Sequence, residues 1–552
     1  MQGIIEIHGA KQVLNTGDQI YTVHETCFIP GDIAVYNNGK TNLVQRIEQK
    51  VIAVVQSVAN QEATLYILNF GPNCPFRPKI SHTTYIVGDR LVLHLNTDGT
   101  FVTTNVYSNA PIDDVKCLLD MYSTTSPRPP TITTLSKPLY TKATIVNHND
   151  LNTFTIDPTH SVDFDDALSV DPENNTVYVH IVDIANQPIS ENSQERLRTE
   201  CLTLYLANEH TEHLLDTDEA AFGLSLVVGH ERPVITVKIV LDTEGCVTAY
   251  DIYRSTIVVK NRYDYETVSA TFTNSQTPKP EIAYLANLTE KRNSSAVKYN
   301  ISLPSLRVLS DCTSGEVTSI KMENTNDIAH TLVATAMILA NLTVSKHISD
   351  SGLSLPNRFH ESLHGIQTPP DYVSTGNPQV DSFILVKRYA RAFYAVDKKG
   401  HFGLGLKDYV HFTSPMRRYA DVIVHMILAG HTYQNIESEV DWLNRRATLV
   451  RTAQDIYLGW KKTRYLKSIQ TPTTQHDIWV TGISKGGILW FMPSLSFNGF
   501  IHVSLLKPTQ YWIFSDNTLR GSYSNTLIKV GDKLSAFVEN IDEITGEIKL
   551  RL

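Results

Sequence analysis

Four aspartates fall within ten residues, and this acidic stretch restricts the possible folds more than any other feature of the chain. Asp157, Asp163, Asp165 and Asp166 stand between two strand-like segments. An extended backbone points Asp163 and Asp165 to the same side, because they are two residues apart. Asp166 then faces differently, and Asp157 can return across a turn that begins at Pro158. The fold must gather these carboxylates at one place or leave them in solvent.

Carboxylates crowded in this way repel one another unless cations neutralise them. Carboxylate oxygens are hard ligands that suit Mg²⁺ or Mn²⁺. Two such ions, about 4 Å apart, can activate water and stabilise the leaving oxygen of a phosphodiester. A solvated acidic loop remains the alternative. A helix–loop–helix calcium site does not fit, because counting from Asp163 places Leu168 where its glycine belongs and Asn174 where its glutamate belongs.

A second stretch, His411 to His425, combines a helix start with two adjacent arginines. Ser414 is predicted to be the N-cap and Pro415 the first helical residue. Arg417 and Arg418 would then lie in the first turn, where the helix dipole disfavours cations, so an anion such as phosphate is expected there. The alternative is that either arginine pairs with a structural carboxylate, for example Arg418 with Asp421.

The bulk properties describe a globular protein of several domains. The 552 residues are too many for one core, and they contain no run of 18 apolar residues that could span a membrane. Six cysteines without a CxxC pair fit a reducing compartment, and we expect a cytoplasmic protein. The net charge of −9 argues against nucleic acid on average, but a basic channel can exist within an acidic protein.

Strand and helix patterns divide the chain into three regions. Short strands with turns dominate the first 120 residues, and strands return in the last 80. Helical spacing of apolar residues covers 329–347, 419–428 and 442–466. Residues 123–145 are rich in Ser, Thr and Pro, which is typical of a linker.

The two motifs together resemble the ribonuclease II (RNB) family. The matching residues are Thr155-Ile156-Asp157 with Asp163-x-Asp165-Asp166-Ala167-Leu168, then His401-Phe402-Gly403-Leu404-Gly405-Leu406 and His411-Phe412-Thr413-Ser414-Pro415-x-Arg417-Arg418-Tyr419-x-Asp421. The resemblance implies a multidomain α+β protein with two N-terminal cold-shock-type β-barrels (OB folds), a central α+β RNB catalytic domain and a C-terminal OB-fold barrel. The expected boundaries are 1–55, 56–122, a linker at 123–149, 150–467 and 475–552.

The resemblance also implies roles for individual residues. Asp157, Asp163, Asp165 and Asp166 would be the metal ligands for Mg²⁺ or Mn²⁺, with Asp166 most important for the chemical step. Arg417 would hold the scissile phosphate or its neighbour, with Arg418 beside it. Tyr205 would stack near the RNA path and Tyr265 on the 3′-terminal base, with ordinary packing as the alternative for both tyrosines.

The chain departs from the family at several positions. Ala334 and Thr335 stand where paired glutamates are common, Gln454 stands where bacterial members carry a functional glutamate, and Met426 stands where arginine is usual. These departures affect the expected rate of cleavage and the affinity for RNA rather than the metal site. The absence of an extra N-terminal nuclease domain and of a Cys-rich leader does not support exosome association, and we expect a monomer.

The expected function is processive 3′→5′ hydrolysis of single-stranded RNA to nucleoside 5′-monophosphates. Two alternatives remain, namely a catalytically silent RNA-binding relative that acts as a repressor or scaffold, and a DNA exonuclease. The candidate cations of a channel for the strand are Lys387, Arg388, Arg391, Arg445, Arg446, Arg451 and Arg464.

Overall fold

The computed structural model describes most of the chain. The described residues are 2–552, except 9–10, 17–18, 38–39, 47, 72–73, 82–83, 124–131, 136, 160, 208, 295–304, 324–326, 362–373, 388, 397–399, 507–510, 516–517 and 525. Residues 124–131 and 136 of the linker expected at 123–149 lie outside the described residues, as does Arg388, whereas residues 132–135 and 146–147 form strands of the central region.

Two antiparallel five-stranded sheets form the N-terminal region. The first has the order β3-β2-β1-β4-β5 and the second the order β10-β9-β6-β7-β8. Their strands are β1 Gln2–His8, β2 Lys11–Asn15, β3 Ile20–Thr22, β4 Ile33–Asn37, β5 Lys40–Gln45, β6 Gln49–Ala59, β7 Glu62–Ile67, β8 Lys79–Ser81, β9 Arg90–Leu95 and β10 Phe101–Tyr107. Each sheet encloses its own apolar core, around Leu14 and Phe28 in the first and around Val55 and Leu93 in the second. Because β6 crosses the expected boundary after residue 55, we propose that the second unit begins at Gln49 instead.

The central region is built around a sheet whose strands connect in a ring. The order is β12-β19-β13-β14-β15-β18, and β18 pairs again with the long β19. The strands of this region are β11 Ile132–Leu135, β12 Val146–Asn147, β13 Thr153–Asp157, β14 Asp166–Asp171, β15 Thr176–Val182, β16 Leu204–Leu206, β17 His210–Glu212, β18 Glu231–Leu241, β19 Val247–Asp264, β20 Ser305–Ser310, β21 Val317–Glu323, β22 Asn357–Phe359, β23 Phe393–Ala395 and β24 His431–Tyr433. The β13–β14 connection holds the acidic stretch, so the ring fixes both of its ends.

Helices cover this sheet and connect it to the other regions. They are α1 Asp114–Tyr122, α2 Glu191–Glu200, α3 Tyr265–Thr273, α4 Pro280–Ser294, α5 Ile328–Asp350, α6 Pro378–Val386, α7 Tyr419–Leu428, α8 Ile436–Ile469 and α9 Val503–Leu506. The three helices predicted from apolar spacing are confirmed as α5, α7 and α8. Among the described residues, α5 alone is long and apolar enough to cross a membrane. Its Ala329, Leu332 and Leu339 are completely buried in the central core, where it contacts α3, α4, β15 and β18.

The C-terminal region returns to antiparallel sheet, so the expected fold class is confirmed. Its strands are β25 Gln475–Ser484, β26 Gly487–Met492, β27 Phe497–His502, β28 Trp512–Ser515, β29 Thr518–Gly521, β30 Leu527–Lys529, β31 Lys533–Asp542 and β32 Glu547–Arg551. The five-stranded order is β27-β26-β25-β31-β32, and β28-β29-β30 form a smaller sheet. Ile478, Trp490 and Ile501 lie in the apolar core between these strands.

A buried ionic cluster joins the N-terminal region to α8. Asp114, at the start of α1, accepts hydrogen bonds from Arg90 of β9 (2.6 Å) and from Arg464 of α8. Lys461 Nζ lies 3.8 Å from the same carboxylate, and each of these four side chains is at most 4% exposed. Breaking such a buried arrangement by removing one partner costs about 3–5 kcal/mol, so the cluster fixes how α1 and β9 sit on α8.

Candidate active site

Arg262 of β19 holds the backbone of the acidic loop between β13 and β14. Its Nη2 atom donates to the carbonyl oxygens of Pro158 (3.1 Å), Thr159 (2.8 Å) and Ser161 (3.3 Å). Its guanidinium carbon also lies 4.8 Å from the centre of the Phe164 ring. Three carbonyls bound to one cation leave this loop little conformational freedom.

Ser225 holds the other end of the loop. Its Oγ atom accepts a hydrogen bond from the Phe164 N–H (2.9 Å) and donates one to the Val162 carbonyl (3.0 Å). The Leu226 N–H donates to the Phe164 carbonyl at 3.1 Å. The backbone on either side of Asp163 is therefore fixed before any ligand binds.

Asp157 and Asp166, at the facing ends of β13 and β14, form a close carboxylate pair. Burial raises the pKa of Asp157 to about 6, and the charge of Asp165 adds to this effect. Burial raises the pKa of Asp166 to about 7, and the charge of Asp157 adds to it. Asp157 Oδ2 is buried and has no hydrogen-bond partner among the described residues. A bound cation would stabilise these two buried carboxylates, because it would offset both their burial and their mutual repulsion.

Asp165 links the acidic loop to the segment that carries the two arginines. Its carboxylate accepts a hydrogen bond from the Met416 backbone N–H at 2.8 Å, and Oδ2 lies 3.6 Å from Arg417 Nε. Burial raises the pKa of Asp165 to about 7 despite the opposing charge of Arg417. Two sequence motifs 250 residues apart thus meet at one carboxylate.

Asp163 is paired with a histidine. One of its carboxylate oxygens lies 2.9 Å from His213 Nδ1, and this hydrogen bond raises the pKa of the His213 imidazole. In the described part of the chain, no three His, Cys, Asp or Glu side chains stand together as a ready metal-binding group. The structure therefore brings Asp157 and Asp166 together, places Asp165 beside Arg417, and occupies Asp163 with a histidine.

The predicted helix start at Ser414 is wrong, because α7 begins at Tyr419 with Arg418 in the N-cap position. Asp421, in the first turn of α7, accepts a hydrogen bond from the Ser414 N–H (2.8 Å) and two from the Arg418 guanidinium (2.8 and 2.7 Å). This carboxylate folds residues 414–417 into a turn ahead of the helix. The pairing of Arg418 with Asp421, considered as an alternative, is confirmed.

Arg417 stays accessible. Its side chain is 49% exposed, and its Nη2 atom donates to Ser414 Oγ at 3.1 Å. The Thr203 N–H donates to its carbonyl oxygen at 3.1 Å, which ties the turn to the residue before β16. Of the two adjacent arginines, Arg417 is the one placed to bind an incoming anion near Asp165.

Both candidate tyrosines lie next to these groups. Burial raises the pKa of Tyr205, whose hydroxyl also interacts with Arg417, although 39% of the residue remains exposed. Burial raises the pKa of Tyr265 as well, and the charges of Asp166 and Asp157 add to this. The Tyr265 ring stacks on His330 with centroids 3.9 Å apart and planes 9° apart, so packing accounts for one of its faces.

Several candidate channel cations have structural partners instead. Arg446 pairs with Glu200 of α2, and Arg464 belongs to the Asp114 cluster, so the channel role predicted for these two is wrong. Lys387, Arg391 and Arg445 are exposed, and Arg451 is partly buried. The Gln454 amide donates to the Tyr205 carbonyl at 3.0 Å. The sequence alone did not predict that Arg262, Ser225 and His213 belong to the site. These residues reach the acidic loop only in the folded chain, so no local sequence pattern marks them.

Comparison with known proteins places the chain among RNA-degrading enzymes and their relatives. The RNB domain model matches residues 146–434, more than half of the chain. Ribonuclease R of Chlamydia muridarum is 30% identical over 414 residues, and the match covers 66% of this chain but only 58% of that relative. The structure of Mycoplasma genitalium RNase R with ribose-methylated single-stranded RNA superposes with a TM-score of 0.78 at 20% identity and covers 100% of both chains. The yeast pseudonuclease Ssd1 shares the fold too, with a TM-score of 0.67 at 15% identity, covering 96% of this chain and 81% of Ssd1.

Proposed function

The chain belongs to the RNB family, and from this premise we propose that it is a divalent-metal-dependent 3′→5′ exoribonuclease. It would hydrolyse single-stranded RNA processively to nucleoside 5′-monophosphates. The observation that carries the proposal is the buried Asp157–Asp166 pair, joined through Asp165 to the accessible Arg417. Similar proteins are named Ribonuclease R, and one RNase R has been solved in complex with single-stranded RNA. Both findings support single-stranded RNA as the substrate.

The residues present fit a divalent cation, with Mg²⁺ or Mn²⁺ as the candidates. The unpartnered Oδ2 of Asp157 and the raised pKa of Asp166 mark oxygen donors whose charge is not neutralised. Asp157 and Asp166 would be the principal metal ligands, and Asp163 and Asp165 would complete the proposed set of four ligands. The bound metal would supply charge neutralisation and activation of water at the scissile phosphate.

The neighbouring side chains would position the RNA. The exposed part of the Arg417 guanidinium would bind the scissile phosphate, since its planar fork matches phosphate oxygens. Tyr265 would stack on the 3′-terminal base with the face opposite His330, and Tyr205 would line the path of the strand. Stacking of this kind tolerates any base, so little sequence preference is expected. Arg418, paired with Asp421, would act by shaping the turn and contributing positive charge to the RNA site.

The N-terminal and C-terminal β-domains would guide the strand towards this site. We further propose that the protein is a cytoplasmic monomer that acts without a membrane. No disulfide joins the six cysteines, all of which lie among the described residues, and this agrees with a reducing compartment.

A catalytically silent RNA-binding protein is the second candidate, because the pseudonuclease Ssd1 has the same fold. The four aspartates argue against it, since a silent relative has no need to keep a costly buried carboxylate pair. One experiment decides between the two. A 5′-labelled single-stranded RNA is incubated with the protein in Mg²⁺ and in EDTA, beside a DNA oligomer of the same sequence.

Shortening of the RNA from its 3′ end, release of nucleoside 5′-monophosphates, and complete inhibition by EDTA are expected. The DNA should persist. Binding of the RNA without shortening in Mg²⁺ or Mn²⁺ would contradict the nuclease proposal and favour the repressor or scaffold. Degradation of DNA at an equal rate would contradict the substrate assignment.

A further inference from the structure

Arg358, on the short strand β22, is a partly buried cation that neither the sequence motifs nor the proposed catalytic groups use. Its guanidinium carbon lies 4.8 Å from the centre of the Tyr394 ring, so the cation rests on an aromatic face. The hydroxyl of Tyr394 is hydrogen-bonded to His411 Nδ1 at 2.9 Å, at the start of the segment that leads to Arg417. Arg358 therefore lies next to the segment that carries Arg417.

Arg358 has no counter-charge among the residues that the structure describes. Among the described residues, no carboxylate pairs with its guanidinium and no acceptor lies within hydrogen-bonding distance of it. The charged neighbours that affect it are two other cations, Arg451 of α8 and Arg418. Burial lowers the pKa of Arg358, and these two cations lower it further. Arg418 has its own counter-charge in Asp421 and shares none with Arg358.

The cations near Arg358 continue along α8. Arg391 lies close enough to Arg451 to lower the pKa of the Arg451 guanidinium, and Asp455 is a carboxylate near both arginines. A series of cations thus runs from Arg418 through Arg358 to Arg451 and Arg391. Like charges held together at the edge of a site are unfavourable in the free protein and become favourable when a polyanion lies along them.

We propose that Arg358 binds a backbone phosphate of the RNA upstream of the scissile bond, between the phosphate at Arg417 and the arginines of α8. A guanidinium fork can donate two parallel hydrogen bonds to one phosphate, and the Tyr394 face orients the fork for this purpose. This assignment rests on the proposed exoribonuclease function for its ligand, but it concerns binding and not the chemical step.

The test measures RNA affinity without cleavage. The Kd of a fluorescent single-stranded RNA is measured by anisotropy in EDTA over a range of salt concentrations for the wild type, Arg358→Gln and Arg358→Lys. Loss of one phosphate contact lowers the slope of log Kd against log salt by about 0.7 for a single strand. Arg358→Gln should show this change and bind roughly tenfold more weakly or worse. Arg358→Lys should keep the slope but lose affinity, because it keeps the charge and lacks the fork.

Lys346→Gln is the matched control, because Lys346 is an exposed lysine paired with Asp350 and is expected to leave both quantities unchanged. Thermal unfolding of each variant is measured in parallel. An Arg358→Gln protein that stays folded and binds with the wild-type slope and Kd would overturn the proposal. So would a loss of thermal stability in both variants with unchanged RNA binding by the folded fraction, which would make Arg358 a structural partner of Tyr394. Wild-type binding without degradation in Mg²⁺ would refute the nuclease function alone and leave this binding role standing.

Discussion

Replacing Asp166 with asparagine should make the metal-free protein more stable at alkaline pH while abolishing cleavage. The folded protein raises the pKa of Asp166 from 3.8 to about 7. The folded state therefore binds the proton more tightly than the unfolded state, and this contribution to stability is complete below pH 3.8 and is lost as the pH rises through about 7. A shift of this size corresponds to about 4 kcal/mol, which is an upper bound because the charge of Asp157 shares in it.

At pH 8 in EDTA, the Asp166→Asn protein should thus unfold with a free energy about 2–4 kcal/mol higher than the wild type, or a melting temperature a few degrees higher. At pH 5 the folded wild-type carboxyl is still protonated but the unfolded one is largely ionised, so the gain of the variant should be smaller, about 1–2 kcal/mol at most, and it should disappear only below pH 3.8. Differential scanning fluorimetry at both pH values measures this. Added Mg²⁺ should stabilise the wild type at pH 8 but not the variant.

Asp163→Asn is the matched control in the same loop. Asp163 already has a partner in His213, so its replacement should not stabilise the metal-free protein at pH 8. The reasoning is refuted if Asp166→Asn is no more stable than the wild type at pH 8 in EDTA, or if it gains the same stability at pH 5.

Three further changes test other parts of the site and the fold. Arg262→Gln removes three hydrogen bonds to the acidic loop, so the rate of single-turnover cleavage should fall by about 100-fold while the Kd for RNA in EDTA stays the same. An equal loss of RNA binding would contradict this prediction. Tyr265→Ala should weaken binding of a short RNA by about 1–3 kcal/mol and Tyr265→Phe should not, as anisotropy would show; equal losses would point to the hydroxyl instead of stacking. Asp114→Asn should lower the free energy of unfolding, measured in urea, by about 3–5 kcal/mol, whereas Glu62→Gln, which breaks an exposed pair with Lys79, should lower it by about 1 kcal/mol or less. Equal losses of unfolding free energy in the two variants would contradict the role of burial.

The fold class was predicted from the resemblance that the two motifs carry, and the strand and helix patterns along the chain agree with it. The crowding of the four aspartates predicted a shared cation site but did not single out the pair of Asp157 and Asp166, whereas apolar periodicity predicted α7 over the residues it occupies. The start of α7 was mispredicted because the Asp421 carboxylate accepts the Ser414 N–H, and Asp165 accepts the Met416 N–H that a Ser414 cap would accept.

Contacts between distant residues account for the other differences. Asp163 and His213 are 50 residues apart, and nothing near either one predicts their pairing. Arg446 and Arg464 look like solvent-facing cations on α8, since their partners Glu200 and Asp114 lie more than 240 residues earlier. Only the folded chain distinguishes such arginines from those that remain free for RNA.

The position of Asp114 bears on how this protein can be shortened for study. A fragment that began after residue 123 would retain the sheet and all four aspartates of the acidic loop, yet it would expose Lys461 and Arg464 without the anion they share. The same truncation would remove Arg90, whose guanidinium lies over the Trp460 ring, and would uncover that ring. Such a fragment should aggregate or melt early, so the smallest fragment that folds should include β9 and α1 as well as the central region.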